Sequence, residues 1–153
     1  MIMSSPSSLS AQRRKARHYT MQALYQWQMS GSKPSDIEAE FRTDNDMTHV
    51  DMDYFHDILS NAPRQISELD NQIESVLQDK ALRELDPVSL ALLRMAAYEF
   101  AARMDVPYKV VINEAVSLAK KFGPTDAYKF INGTLDKLAI SMRKAEVAAE
   151  SKG

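Results

Sequence analysis

The segment from Val88 to Ala102 is apolar on nearly every side, with Leu90, Ala91, Leu92, Leu93, Met95, Ala96, Ala97 and Phe100. A helix of that kind is stable only when other elements sheath it all round. It opens at Asp86-Pro87: a carboxylate able to cap the first turn, then a proline whose fixed φ suits the first helical position. At 153 residues the chain is one domain by length and long enough to surround such a helix. Only four glycines and almost no alternating β-branched runs leave little material for a sheet. The expected fold is all-α, a compact bundle of about seven helices. Residues 1–10 read as a flexible arm, 11–142 as a single helical domain, and 143–153 as a frayed tail.

Spacing and punctuation place the other helices. Helix one is expected from Gln12 to Met29, stopped by Gly31, with Ala16, Thr20, Ala23, Leu24 and Trp27 as its buried stripe. Ser35 and Glu38 have capping-box spacing and predict a short helix ending near Phe41. Arg42 to His49 reads as a loop. A further helix starts at Asp51 or Asp53, uses Phe55, Ile58 and Leu59, and is interrupted by Pro63. The next uses Ile66, Leu69, Ile73, Val76 and Leu77. Two helices then flank the break at Phe122-Gly123-Pro124-Thr125-Asp126. There Gly123 is expected to take the left-handed conformation, and Thr125 or Asp126 to cap the second helix of the pair.

The last of these helices carries more than a core requires. Tyr128, Ile131, Leu135 and Leu138 share one side, whereas Phe130 lies about 100° away, near Asp126 and Lys137. With Lys120, Lys121 and Lys129 close in sequence, Phe130 marks a surface that stacks on or docks against something, although a contact between helices would also use it. Asn132-Gly133 is a poor pair for a helix interior. It is read as a place where Gly133 lets another helix approach. On helix one, Tyr25 lies off the stripe and shares a second face with His18, Gln22 and Met29. Tyrosine is common at interfaces because it offers contact area with a polar tip.

Arg13, Arg14, Lys15 and Arg17 place four positive charges within five residues. A solvated helix start would carry such a run. Yet cations are mildly unfavourable at the positive end of a helix dipole, and phosphate is the obvious reason to hold them there. The net charge of −2 means that any nucleic-acid contact depends on local clusters. Catalysis finds no support. His18, His49 and His56 are scattered, cysteine is absent, and the acidic run Asp44, Asp46, Asp51 and Asp53 lacks the glycine and closing glutamate of a calcium loop. Neither cofactor nor metal is expected. Without a signal-peptide core or a membrane-spanning run, the reading is a soluble, cytoplasmic protein.

Two separated motifs carry a family resemblance. One is Arg13-Arg14-Lys15-Ala16-Arg17 followed by Gln22-Ala23-Leu24-Tyr25-Gln26-Trp27-Gln28. The other runs through Val106-Pro107-Tyr108-Lys109-Val110, Ile112-Asn113-Glu114-Ala115, Leu118-Ala119-Lys120, Phe122-Gly123 and Lys129-Phe130-Ile131-Asn132-Gly133-Thr134-Leu135-Asp136-Lys137. Over about residues 11–140 the chain resembles the NusB family of bacterial transcription antitermination factors. The resemblance implies two packed three-helix sub-bundles and no enzymatic activity. It implies binding to single-stranded boxA RNA in ribosomal RNA leaders, jointly with the ribosomal protein NusE, in an antitermination complex with RNA polymerase. The implied RNA-binding residues are Arg13, Arg14, Lys15, Arg17, Lys120, Lys121, Asp126, Lys129 and Phe130, and the implied partner-binding residues are Gln22, Tyr25 and Ser89. The family often carries an acidic residue where this chain has Ser89. Its members differ in whether the free protein forms a homodimer. The alternative reading is a helical protein-interaction adaptor with incidental RNA binding.

Overall fold

Helix α5 (Pro87–Ala102) runs through the centre of the molecule, as its all-round apolar sequence requires. Ala91, Leu92, Leu93, Met95, Ala96, Ala97 and Phe100 have no exposed surface. The Asp86 carboxylate accepts the Ser89 N–H at 2.9 Å and caps the helix. The computed structural model describes residues 8–151. Before α5 come α1 (Leu9–Ser30), α2 (Pro34–Asp44), α3 (Met52–Asn61) and α4 (Ile66–Glu74), with single 3-10 turns at Pro63–Gln65 and Leu82–Glu84. After it come α6 (Tyr108–Phe122), α7 (Ala127–Met142) and the short α8 (Lys144–Ser151). The fold is all-α, with no strand among the described residues. Helices α1, α2 and α3 pack on one another, α5, α6 and α7 form a second group with α4 against it, and the α1–α5 contact is the main seam.

Several local expectations need correction. The arm expected over 1–10 falls mostly outside the described residues, and Leu9 and Ser10 already belong to α1, which Ser8 caps by accepting the Ala11 N–H. Ser35 and Glu38 form no capping box: α2 begins at Pro34, and no side chain caps it. Glu38 is buried instead, accepting from Arg42 at 2.8 Å and lying 2.7 Å from His56. Helix α2 runs on to Asp44, so the expected loop starts later. Asp51 does cap α3, accepting the Tyr54 N–H at 3.0 Å.

The α6–α7 break distributes its work differently from the expectation. Gly123 has φ −84° and is not left-handed, whereas Asp126 has φ 66°. No side chain caps α7. Gly123 is needed for a different reason: a Cβ there would sit 2.8 Å from the Ala119 carbonyl oxygen. Gly133 has nothing within 4 Å of where a Cβ would be, so it does not serve a close helix approach.

The tail expected to fray after Met142 is helical through Ser151 and begins with an anchor. Buried Arg143 donates to the carbonyls of Glu99 (3.0 Å), Phe100 (2.8 Å), Arg103 (2.9 Å) and Val106 (2.9 Å). These are carbonyls at and beyond the C-terminal end of α5, where a helix leaves its last acceptors unpaired. Glu146 then accepts the Tyr108 N–H at 2.9 Å, fixing the first turn of α6.

Candidate nucleic-acid and partner surfaces

The basic run at the start of α1 splits into an inner and an outer half. Arg17 is 2% exposed, and its guanidinium donates to Glu99 at 2.8 Å and to the Tyr54 hydroxyl at 3.1 Å. Tyr54 in turn donates to Glu99. Burial, then the Glu99 charge, pushes the Tyr54 phenol far above its ordinary value, so it stays a donor. The Tyr54 ring lies 4.8 Å from the Arg13 guanidinium, 5.0 Å from that of Arg17 and 4.7 Å from that of Arg103. Arg13 also pairs with Asp51 at 3.4 Å and Asp105 at 3.0 Å. The assignment of Arg17 to an RNA surface is therefore corrected: it is the internal counter-ion of a carboxylate on α5. Arg13 is largely spent on the same network. Arg14 and Lys15 face outward, Arg14 with its side chain 67% exposed and 3.2 Å from Glu114.

Phe130 is half-buried on α7 and stands between two clefts. One, of about 270 Å³, is lined by Val76, Leu77, Lys80, Lys129, Gly133 and Lys137 among others. The second, of about 350 Å³, includes Glu84, Ser89, Thr125 and Asp126. The Lys80 ammonium lies 5.0 Å from the Phe130 ring. Asp126 is exposed and pairs with Lys129 at 3.6 Å. Lys120 sits 4.9 Å from the Tyr128 ring and Lys129 5.9 Å from it. The structure thus gathers Asp126, Lys129 and Phe130 on one face and adds Lys80 and Lys137. Lys80 escapes a reading of the sequence because it lies in the irregular chain between α4 and α5, with no periodicity to orient it.

A separate apolar groove of about 500 Å³ runs beside α1 and is lined by Met21, Gln22, Tyr25, Met29, Phe41, Val88 and Phe122 among others. Tyr25 is 37% exposed and Met29 60%, while the Gln22 amide donates to the His18 carbonyl at 3.0 Å. Ser89 does not line this groove. It is 2% exposed and lies under the Asp126–Phe130 cleft, so the structure places Ser89 apart from Gln22 and Tyr25, and its neighbour Val88 reaches the groove. A one-residue step along a helix turns a side chain by about 100°.

Among the described residues no His, Asp and Glu gather as a metal-ligand set, and no helix is long and apolar enough to cross a membrane. A basic aromatic face and an apolar groove on an all-α scaffold define a small helical binding protein. The NusB family profile matches residues 14–140. The transcription antitermination protein NusB of Saccharophagus degradans is 59% identical over 143 residues, covering 94% of this chain and 95% of that one. Its counterpart in Pseudomonas putida is 55% identical, covering 95% and 87%. A T. maritima NusB structure aligns with TM-score 0.72 at 30% identity, covering 90% of this chain and 92% of that one. A chain in the crystal structure of a plectonemic RNA supercoil aligns with TM-score 0.74 at 26% identity, covering 84% and 94%. The chain belongs to the NusB family, whose members are RNA-binding transcription antitermination factors and not enzymes.

Proposed function

We propose that this protein binds single-stranded boxA RNA of ribosomal RNA leader transcripts together with the ribosomal protein NusE. In that complex it supports processive transcription by RNA polymerase in the cytoplasm. The observation that carries the RNA half is Phe130, an aromatic ring set between two clefts with Lys80, Lys129 and Lys137 around it. Unpaired bases stack on such rings, and their phosphates are attracted by flanking lysines. Arg14, Lys15, Lys120 and Lys121 extend the positive surface. Tyr25 and its groove supply the protein-facing half, and the same groove is what favours the adaptor reading. A steep fall of RNA affinity with salt separates the two, because phosphate contacts release counterions.

The test is a titration of boxA-like RNA against Phe130→Ala, with and without NusE. Loss of a base-stacking ring is expected to weaken binding by about 1–3 kcal/mol. Phe130 is only half-buried, so the melt should fall by less than the about 3–5 kcal/mol of a core phenylalanine. A large drop in stability with unchanged RNA affinity would make Phe130 a packing residue and remove the RNA site from α7.

Asp126 yields a second expectation on the same face. Its left-handed backbone is one that asparagine adopts readily, and its carboxylate makes no cap. Asp126→Asn should therefore leave the thermal melt unchanged and remove a charge that repels phosphate. RNA affinity should stay level or tighten several-fold. Clearly weaker binding by the folded variant would mean that the carboxylate accepts hydrogen bonds from the RNA.

A further inference from the structure

A third cleft, of about 360 Å³, lies between α1 and α6, on residues that neither the Phe130 face nor the Tyr25 groove accounts for. Arg14 and His18 are one turn apart on α1, and Asn113, Ser117 and Lys121 succeed one another at one-turn spacing on α6. Glu114 is the carboxylate in its wall, and it is already bound to Arg14 at 3.2 Å. Among the described residues Lys121 has no carboxylate within ion-pair distance, and the ring nitrogens of His18 have no hydrogen-bond partner. The His18 ring is held at the junction with the apolar groove by edge contact with Tyr19 at 5.2 Å and by Phe122 at 5.1 Å.

We infer that this cleft is a phosphate subsite for the RNA backbone, in which Arg14, Lys121 and His18 converge on one phosphodiester and His18 takes up a proton as the anion enters. The inference rests on the RNA reading above and adds a second contact site to it. A phosphate accepts hydrogen bonds and carries negative charge, and the cleft offers it the Lys121 ammonium, which lies 5.3 Å from the Phe122 ring and has no carboxylate partner, together with the His18 ring. The groups facing His18 are Arg14 and the Tyr19 ring on its own helix, and Glu114 and Lys121 on α6. Burial, and then the Lys121 ammonium, hold the imidazole below its ordinary value, so the ring is neutral at neutral pH. A neutral ring donates from one nitrogen only, whereas the imidazolium donates from both. An anion placed between His18 and Lys121 replaces their repulsion with attraction and raises the imidazole value. Binding and protonation are therefore linked, and affinity rises as pH falls, by at most about tenfold per pH unit for one proton.

The experiment tracks the imidazole resonances of the full chain by NMR across pH, alone, with tripolyphosphate, and with boxA-like single-stranded RNA. Both anions are expected to move the His18 titration upward. RNA affinity should tighten at least about threefold from about pH 7.5 to about pH 5.5, a range in which histidine changes charge. His18→Gln keeps a polar side chain and should flatten that profile. Lys121→Met should raise the free His18 titration and weaken RNA binding. A His18→Gln profile identical to that of the unaltered chain, with RNA still bound, overturns the subsite and leaves the Phe130 reading standing. Failure of RNA to bind at any pH, with His18 still responding to tripolyphosphate, overturns the RNA reading and leaves an anion cleft. No response of His18 to either anion removes the cleft.

Discussion

Arg17→Ala is expected to cost the fold about 3–5 kcal/mol, the loss typical of removing one partner from a buried ion pair. Arg17 and Glu99 are 2% and 1% exposed, and their charged atoms are 2.7 Å apart. Truncating Arg17 leaves the Glu99 carboxylate and the Tyr54 hydroxyl buried without their cation. The whole stability of a small domain is about 5–15 kcal/mol, so the variant should unfold at far lower urea concentration or fail to accumulate. Replacing Arg17 and Glu99 together with methionine removes both charges, and should recover much of the loss because paired hydrophobic substitutes of similar volume are tolerated there. The pair Arg14–Glu114 gives the contrast, because the Arg14 side chain is 67% exposed even though that of Glu114 is 12% exposed. Arg14→Ala should change stability by less than about 1 kcal/mol, as surface ion pairs do. Urea denaturation of the three variants decides the matter. A normally stable Arg17→Ala protein with weakened RNA affinity would return Arg17 to the RNA surface and contradict its burial.

The period of α1 already contains the answer for Arg17. Positions 17, 20, 24 and 27 step by three or four residues, and Thr20, Leu24 and Trp27 form the expected core stripe. Charge overrides spacing in such a reading, because a cation in a basic run resembles a phosphate ligand. What the local pattern lacks is Glu99, the one carboxylate of α5, which requires a cation from elsewhere because Arg94 of the same helix is paired with Asp70. The central helix itself is legible, since a segment with no polar face has few places to go. The α6–α7 break is legible as a break but not in its geometry. Glycine and proline announce a turn, yet the left-handed residue is Asp126, and Gly123 answers to the Ala119 carbonyl. Arg143 could not be read from the tail, because its acceptors lie at Glu99, Phe100, Arg103 and Val106 and come together only where α5 ends. For the site, Phe130 and Tyr25 stand out as aromatics off their stripes. Lys80 does not, because its approach to the Phe130 ring is made by the tertiary fold.

Tyr25→Asp should weaken NusE binding by at least about 100-fold, about 2.8 kcal/mol, while leaving the fold intact. Tyr25 is 37% exposed and Met29, one turn on, is 60% exposed, so both offer apolar surface that the free protein does not bury. Met21, Phe41, Val88 and Phe122 complete the groove around them. In the free chain an aspartate at position 25 points into water, and a surface substitution of that kind changes stability by no more than about 0.5 kcal/mol. Once a partner covers the groove, the carboxylate loses its water and meets methionine and phenylalanine, with no cation among the side chains lining the groove. Tyr25→Phe keeps the contact area and removes the hydroxyl, so it should bind within a few-fold of the unaltered protein if area is what the partner uses. Calorimetric titration with purified NusE measures both variants, and the same samples titrated with RNA alone should show no change, because the Phe130 face does not share the groove. Undiminished NusE binding by Tyr25→Asp would move the protein interface away from α1, and would leave the exposed Tyr25–Met29 face to a second copy of the chain or to no partner at all.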